Sequence, residues 1–281
     1  MIFGASPSLF LLLLLLLFLE SKLTMEARFL EAARNGRVEE VEEILRNNPT
    51  FNVNCRDEDG DQTALYHACK QDRGSVVSIL LAHPGIDVNV KDEFGCTPFY
   101  YACVYGSTLC VREMLKDSRV KVNSPNNDGS TPLSRAAWNG SLDIIKWWIA
   151  SGREMDLGKP GNSRTDTILV AKNRGKPRVA TLLERFKENP VETRHAMRVE
   201  LGLLDVLAAE MFALVVFVSD GLLQIKNLVD STPPAARFLR ISTQLPLELQ
   251  MVLCYRVLGS AKEIISGKDS EVAFKRLAKR I

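Results

Sequence analysis

Three short stretches, TALYHAC from Thr63, TPFYYAC from Thr97 and TPLSRAA from Thr131, stand 34 residues apart in a chain of 281. A period of that size constrains the fold more than composition does. Each copy must build the same small unit, and each unit must bury its apolar face on its neighbours. Ahead of the three stretches lie the turn signals DEDGDQ, KDEFGC and NNDGS, where Gly60, Gly95 and Gly129 supply the freedom for positive φ. Behind them come VVSILL, LCVREML and LDIIKWWI, with apolar residues at helical spacing. Short extended pieces carrying Val53-Asn54, Val88-Asn89 and Val122-Asn123 close the units. The unit is therefore turn, helix, loop, helix, extended return. Threonine caps the first helix, proline suits its first position, and the small pair Ala-Cys or Ala-Ala lets neighbouring helices approach.

This assembly resembles the ankyrin repeat, whose T-P-L-H-x-A-A opening, inter-helix turn, V-V-x-L-L-L stretch and D-V-N close are matched piece by piece over residues 26 to about 188. The resemblance implies an all-α fold: an ankyrin-repeat solenoid of helix-turn-helix units with β-turn fingers, followed by a small helical module. Four to five repeats are expected in residues 25–188. The first starts at FLEAARNGRVEEVEEILR without a finger, as an N-terminal cap would. The last is degenerate: Thr165 and Ala171 are expected in register with Thr131 and Ala137, Asp166 replaces the proline, and the preceding loop GREMDLGKPGNS is irregular.

In ankyrin repeats the residue after T-P-L-H and the positions before the inter-helix turn point to the concave face. The resemblance therefore implies a contact surface of His67, Lys70 and Gln71, then Tyr101, Val104 and Tyr105, then Arg135, Trp138 and Asn139. Exposed aromatic and arginine side chains have the composition of interface hot spots. For Tyr101, Tyr105 and Trp138, contact with a partner and packing between repeats both stay open. Tyr100, in the slot usually held by histidine, is expected to pack, and Trp147 and Trp148 to join the core. The finger tips form a second candidate surface: Arg56, Asp57, Glu58 and Asp59, then Lys91, Asp92, Glu93 and Phe94, then Asn126, Asn127 and Asp128. Their charges suit either plain solvation or a partner with basic residues. The residues expected to bind a partner are His67, Lys70, Gln71, Lys91, Glu93, Phe94, Tyr101, Tyr105, Asn127, Arg135 and Trp138.

Lys and Arg number 36 against 34 Asp and Glu, for a net charge of +2, which leaves no broad field for nucleic acid. The chain carries no G-x-S-x-G, no phosphate-cradling glycine loop and no H-E-x-x-H. Its three histidines, His67, His83 and His195, are scattered, and no C-x-x-C occurs. Six cysteines would allow three disulfides, but a chain this long needs no such staples. Cys69 and Cys103, 34 apart in equivalent contexts, read as reduced, small packing residues. A Cys103 nucleophile with His67 as its base has no third group to orient it, and burial would hold the thiol protonated. The expectation is a non-catalytic, monomeric interaction scaffold for a protein partner of unknown identity, with no cofactor, metal, nucleic acid or small-molecule substrate.

Residues 1–24 form a hydrophobic leader whose apolar run, Leu9 to Leu19, is too short to span a bilayer comfortably. No Lys or Arg precedes the run and no small-x-small site follows it. It reads as an upstream-start artefact or a weak anchor, with MEARFLEAARNG from Met25 as the natural beginning and secretion as the alternative. Location is expected to be cytoplasmic, with entry to the nucleus by diffusion; a retained or cleaved leader would instead make the chain membrane-anchored or secreted. Residues 189–281 lose the period and read as a helical module: a densely apolar buried helix or pair from Arg194, a STPPAAR linker, then two helical stretches. Leu245-Pro246-Leu247-Glu248-Leu249 is similar to the opening of an F-box. That likeness would make the protein a substrate adaptor of a cullin-type ubiquitin ligase, with Leu245, Pro246, Leu247 and Leu249 on the adaptor subunit. Ordinary capping chemistry explains the same residues.

Overall fold

A computed structural model of the protein describes residues 25–57, 62–162, 165–219, 242, 244–258, 265 and 267–278. The leader therefore lies outside the described residues, as do finger residues Glu58, Asp59 and Gly60 and the STPPAAR linker. The chain divides into two compact units between Arg194 and His195.

Among the described residues the first unit is a stack of five helix pairs. α1 (25–35) pairs with α2 (Val38–Asn47), α3 (Ala64–Lys70) with α4 (Gly74–Ala82), and α5 (Pro98–Tyr105) with α6 (Thr108–Lys116). α7 (Pro132–Asn139) pairs with α8 (Leu142–Ser151), and α9 (Thr167–Asn173) with α10 (Pro177–Glu188). Among the described residues there is no strand, only an isolated antiparallel bridge between Arg56 and Thr63 in the second repeat's finger.

Capping starts the inner helices. The Thr63, Thr97 and Thr131 hydroxyls accept from the N–H groups of Tyr66, Tyr100 and Ser134 at 3.4, 3.2 and 3.2 Å, and Pro98 and Pro132 hold the first helical position. The same hinge ends each one. The N–H groups of Arg37, Arg73, Ser107, Ser141 and Lys176 donate at 2.9 Å to the carbonyls of Ala32, Ala68, Ala102, Ala136 and Ala171. That bond demands a residue of positive φ just before the donor, and Gly36, Gly106, Gly140 and Gly175 meet it without a Cβ penalty. In the second repeat Asp72 does so at φ 53, and its carboxylate accepts from the Cys110 N–H at 3.1 Å on the next outer helix.

The fifth pair corrects the expected register. The hinge carbonyls of Ala136 and Ala171 are 35 residues apart, so Ala171 matches Ala136 and not Ala137. Thr165 is not the cap. The Asp166 carboxylate accepts from the Leu169 N–H at 3.0 Å, and the connecting loop has absorbed one extra residue.

Two features hold the stack. Ala68, Cys69, Ala102, Cys103, Ala136 and Ala137 are fully buried, so inner helices meet at small side chains while Leu65, Phe99 and Leu133 reach the outer helices. Phe99 and Trp148 meet edge to face at 5.1 Å. Each such side chain contributes about 1.5–3 kcal/mol by leaving water. A leucine at Ala102 would have no room, and overpacking of that kind costs roughly 1–3 kcal/mol. The second feature is a ladder of amides. Asn54 donates to the Gly85 carbonyl and accepts from the Asp87 N–H, both at 2.8 Å, and Asn89 repeats this on Arg119 and Lys121 at 2.9 and 2.8 Å. Asn123 repeats it on Glu154 and Asp156. The preceding Val53, Val88 and Val122 are buried, so each Val-Asn pair anchors one return loop and fastens the next. Trp148 is core as expected. Trp147 departs from that expectation: it stays half-exposed on the outer side, with the Arg112 guanidinium 4.2 Å from its ring centre.

The boundary between the units falls inside α11 (Pro190–Glu200), past the expected junction at 188. In the second unit, α12 (Leu203–Ser219) buries Ala208, Ala209, Phe212, Ala213 and Val215 against α13 (Leu247–Val257) and α14 (Gly267–Ala278). Phe274 takes Phe212 edge to face at 6.2 Å and Phe217 in a stack at 5.7 Å. Cys254 is fully buried, and burial pushes its thiol up to about 11. Among the described residues no single helix is long and apolar enough to cross a membrane.

Candidate functional site: the concave strip

The concave side chains sort by what each already holds. Asp92 sits at the base of the third repeat's finger. Its Oδ1 accepts from the N–H groups of Phe94 and Cys96 at 3.0 and 2.8 Å, and its Oδ2 accepts from the Tyr101 hydroxyl at 2.7 Å. Asp57 repeats the arrangement one finger earlier, accepting from the Gln62 N–H and meeting His67 Nε2, both at 2.9 Å. In the fourth repeat Asn126 accepts from Asp128 and Ser130, while Arg135 donates to the Tyr100 hydroxyl at 2.8 Å. The residue after the histidine slot thus ties the helix to a finger or to a neighbouring tyrosine.

These bonds change the reading of several expected contact residues. His67 is buried at 5% exposure, and its Nδ1 has no partner among the described residues. Burial lowers its affinity for a proton, against the opposing pull of Asp57. It is not presented to a partner, because the finger carboxylate folds over it. Tyr101 is half-buried, and burial together with its bond to Asp92 holds the phenol well above its ordinary value. Tyr100 is buried at 3%, in keeping with its expected packing role. Lys91 donates to the Pro125 carbonyl at 3.0 Å, and Asn127 bonds the Phe94 and Glu93 carbonyls, so these two fasten adjacent fingers together. Glu93 is exposed, and Phe94, 58% exposed, is an open apolar tip.

The exposed remainder forms one strip along the ends of the inner helices. Tyr105 is 49% exposed and Trp138 is 38% exposed. Lys70 lies 5.5 Å from the Tyr105 ring centre and 5.9 Å from that of Tyr66. The Trp138 ring takes the Arg135 guanidinium at 5.7 Å and that of Arg174 at 3.0 Å. Tyr66 meets Tyr101 edge to face at 4.3 Å, and Tyr101 stacks on Tyr105 at 6.0 Å, so the tyrosines form one continuous row. Gln71 and Asn139 are exposed beside them, and Asn139 is tied to the Val104 carbonyl. Arg174 was not among the expected contact residues. The slipped register of the fifth repeat hid it; with the register counted from the hinge it occupies the same position as Tyr105.

Among the described residues no group of three His, Cys, Asp or Glu side chains is placed to hold a metal ion. Cys103 is fully buried and burial raises its thiol, the reverse of what activates a nucleophile.

In the second unit Leu247 and Leu249 are 53% and 50% exposed, Pro246 is exposed, and Leu245 is half-buried. Pro246 takes the N-cap position, and the Gln250 side chain donates to the Leu245 carbonyl at 2.9 Å.

A family model described as ankyrin repeats (3 copies) matches residues 11–92 and, overlapping, 76–159. The chain is 42% identical over 91 residues, 32% of its length, to the SMC5-SMC6 complex localization factor protein 1 of Homo sapiens. It is 31% identical over 134 residues, 45% of its length, to the transient receptor potential cation channel subfamily A member 1 of Homo sapiens. It is 28% identical over 99 residues, 35% of its length, to human Rabankyrin-5. The matched segments span only 9%, 12% and 8% of those three relatives. Stacked repeats of this kind create extended concave surfaces that bind other proteins. With more than half of the chain under the family model and five hinged helix pairs in the stack, the protein belongs to the ankyrin-repeat family.

Proposed function

We propose that the protein is a non-catalytic scaffold that engages a protein partner along the strip of Lys70, Tyr105, Arg135, Trp138 and Arg174, with Phe94 and Glu93 of the fingers at its margin. The observation that carries this reading is the exposure of Tyr105 and Trp138 on one face, each bracketed by a cation. Large aromatic surface with arginine beside it is what interface hot spots are made of. A name such as complex localization factor, borne by one relative, fits a role in bringing proteins together. The test is proximity labelling in native cells with the full chain and with a Tyr105→Ala, Trp138→Ala variant. Proteins labelled by the first and lost from the second support the reading. An identical set from both refutes it.

A second reading has its own observation. Leu247 and Leu249, at the start of α13, keep about half of their surface in water where an F-box-like segment would present apolar side chains. As a ligase adaptor the chain would label cullin-ligase subunits, and Leu247→Asp with Leu249→Asp would remove them while sparing the strip-dependent partners. Absence of those subunits from the labelled set sinks this reading and leaves the scaffold standing.

A further inference from the structure

We propose that the occupant of the concave strip is an acidic peptide segment bound in extended conformation. The proposal rests on the reading that the strip is the contact surface, and it names the chemistry of what lies there.

Charge carries the argument. Several cations elsewhere on the first unit sit in ion pairs: Arg28 and Arg37 with Glu40, Lys116 with Glu113 at 2.6 Å, Arg119 with Asp117 at 2.6 Å, and Lys172 with Glu184 at 2.6 Å. Exposed Arg34 stands two residues after the hinge alanine Ala32, as Lys70 does after Ala68, and so extends the strip into the first repeat; Arg34, Lys70, Arg135 and Arg174 have no carboxylate partner among the described residues. The nearby acids bond other groups. Glu31 takes Arg37, Asp57 and Asp92 hold His67 and Tyr101, and Asp72 turns to the Cys110 N–H. Arg34 and Lys70 both weigh against protonation of His67, which places both cations near it. Contact with an aromatic face orients a cation without cancelling its charge. The strip therefore presents cations outside any ion pair toward both ends and aromatic rings between, a pattern complementary to carboxylates flanking apolar side chains.

The repeat supplies the spacing. Neighbouring helices lie about 10 Å apart and an extended chain rises about 3.3 Å per residue, so a bound strand advances about three residues per repeat. Arg34 and Lys70 would then meet acids about three residues apart. A gap of about six residues, apolar over Tyr105 and Trp138, would separate them from acids facing Arg135 and Arg174. Finger residues Glu93 and Asp128 are acidic and exposed, which keeps the anionic strand on the helix ends.

The test uses the full chain and a fluorescein-labelled synthetic peptide with glutamates about three residues apart at each end and a leucine at its centre. Two companion peptides replace glutamate with glutamine or with lysine, and a labelled oligothymidylate is run in parallel. Fluorescence anisotropy should show that the glutamate peptide binds best. Lys70→Glu with Arg174→Glu should weaken it at least about tenfold, and raised salt should weaken it too. Lys121→Glu, outside the strip, should leave binding unchanged, and thermal melts should confirm that all variants fold. Equal binding of the glutamine peptide, tighter binding of the lysine peptide or the oligothymidylate, or no binding at all would overturn the proposal. In each of those cases the scaffold reading survives if cellular partners still depend on Tyr105 and Trp138, so the two failures are distinguishable.

Discussion

Asp92→Ala should loosen the third repeat by about 3 kcal/mol, and the geometry says where that figure comes from. The carboxylate accepts three hydrogen bonds, from Phe94 and Cys96 on the finger and from the Tyr101 hydroxyl on α5. The Phe94 N–H faces water and is resolvated when its acceptor is lost, so it contributes little. The Cys96 N–H and the Tyr101 hydroxyl are partly buried, and a bond to a charged acceptor contributes about 1.5 kcal/mol each. Tyr101→Phe removes one of them and should cost about 1.5 kcal/mol. The double variant should then cost about 3 kcal/mol and not about 4.5, a coupling of about 1.5 kcal/mol. Asp92→Asn should cost only about 1 kcal/mol, because the amide oxygen still caps the finger, as Asn126 does at 2.9 Å for Ser130 one repeat later. Urea melts followed by tyrosine fluorescence read all four species. If Asp92→Asn is as damaging as Asp92→Ala, or if the double variant is additive, the clamp between finger and helix is not what holds this repeat.

Three further outcomes follow from the same geometry. Asp72→Ala should cost about 2 kcal/mol, from the left-handed backbone at φ 53 and the lost Cys110 bond, while Asp72→Asn should stay within about 0.5 kcal/mol of the parent in the same melts. Gly95→Ala should destabilise by at least about 2 kcal/mol, since a new Cβ would run into Asn127. Gly129→Ala meets nothing within 4 Å and should cost only the roughly 1 kcal/mol of its positive φ; comparable losses would contradict this. Burial lowers the proton affinity of His67 in the folded state below the unfolded value of about 6.5, so the unfolded chain binds the extra proton first. Stability should fall as pH drops below about 6.5 and level off once the folded histidine titrates. His67→Gln should flatten that part of the pH profile, and an unchanged profile would refute the assignment.

Much of the fold was legible because repetition averages out local ambiguity. A single TPFYYAC is compatible with many folds, but three copies at one period, each with its turn and its Val-Asn close, leave a stacked solenoid as the economical solution. The buried small residues, the threonine caps and the core Trp148 all follow from that pattern. The fifth repeat resisted, because its cap moved from a threonine to the neighbouring aspartate and the shift of one residue concealed Arg174.

Residue types and spacing by themselves determined the helix pairs and their caps, since these depend on contacts within a repeat, while the concave side of each inner helix was implied by the resemblance to ankyrin repeats. Which concave side chains stay free was decided only by the tertiary structure, because it depends on contacts between a helix and its finger or the next repeat. His67, Tyr101, Tyr105 and Trp138 all occupy the concave side of inner helices. Asp57 closes over the first and Asp92 anchors the second, while Tyr105 and Trp138 remain open, each with a cation from an adjacent repeat beside it.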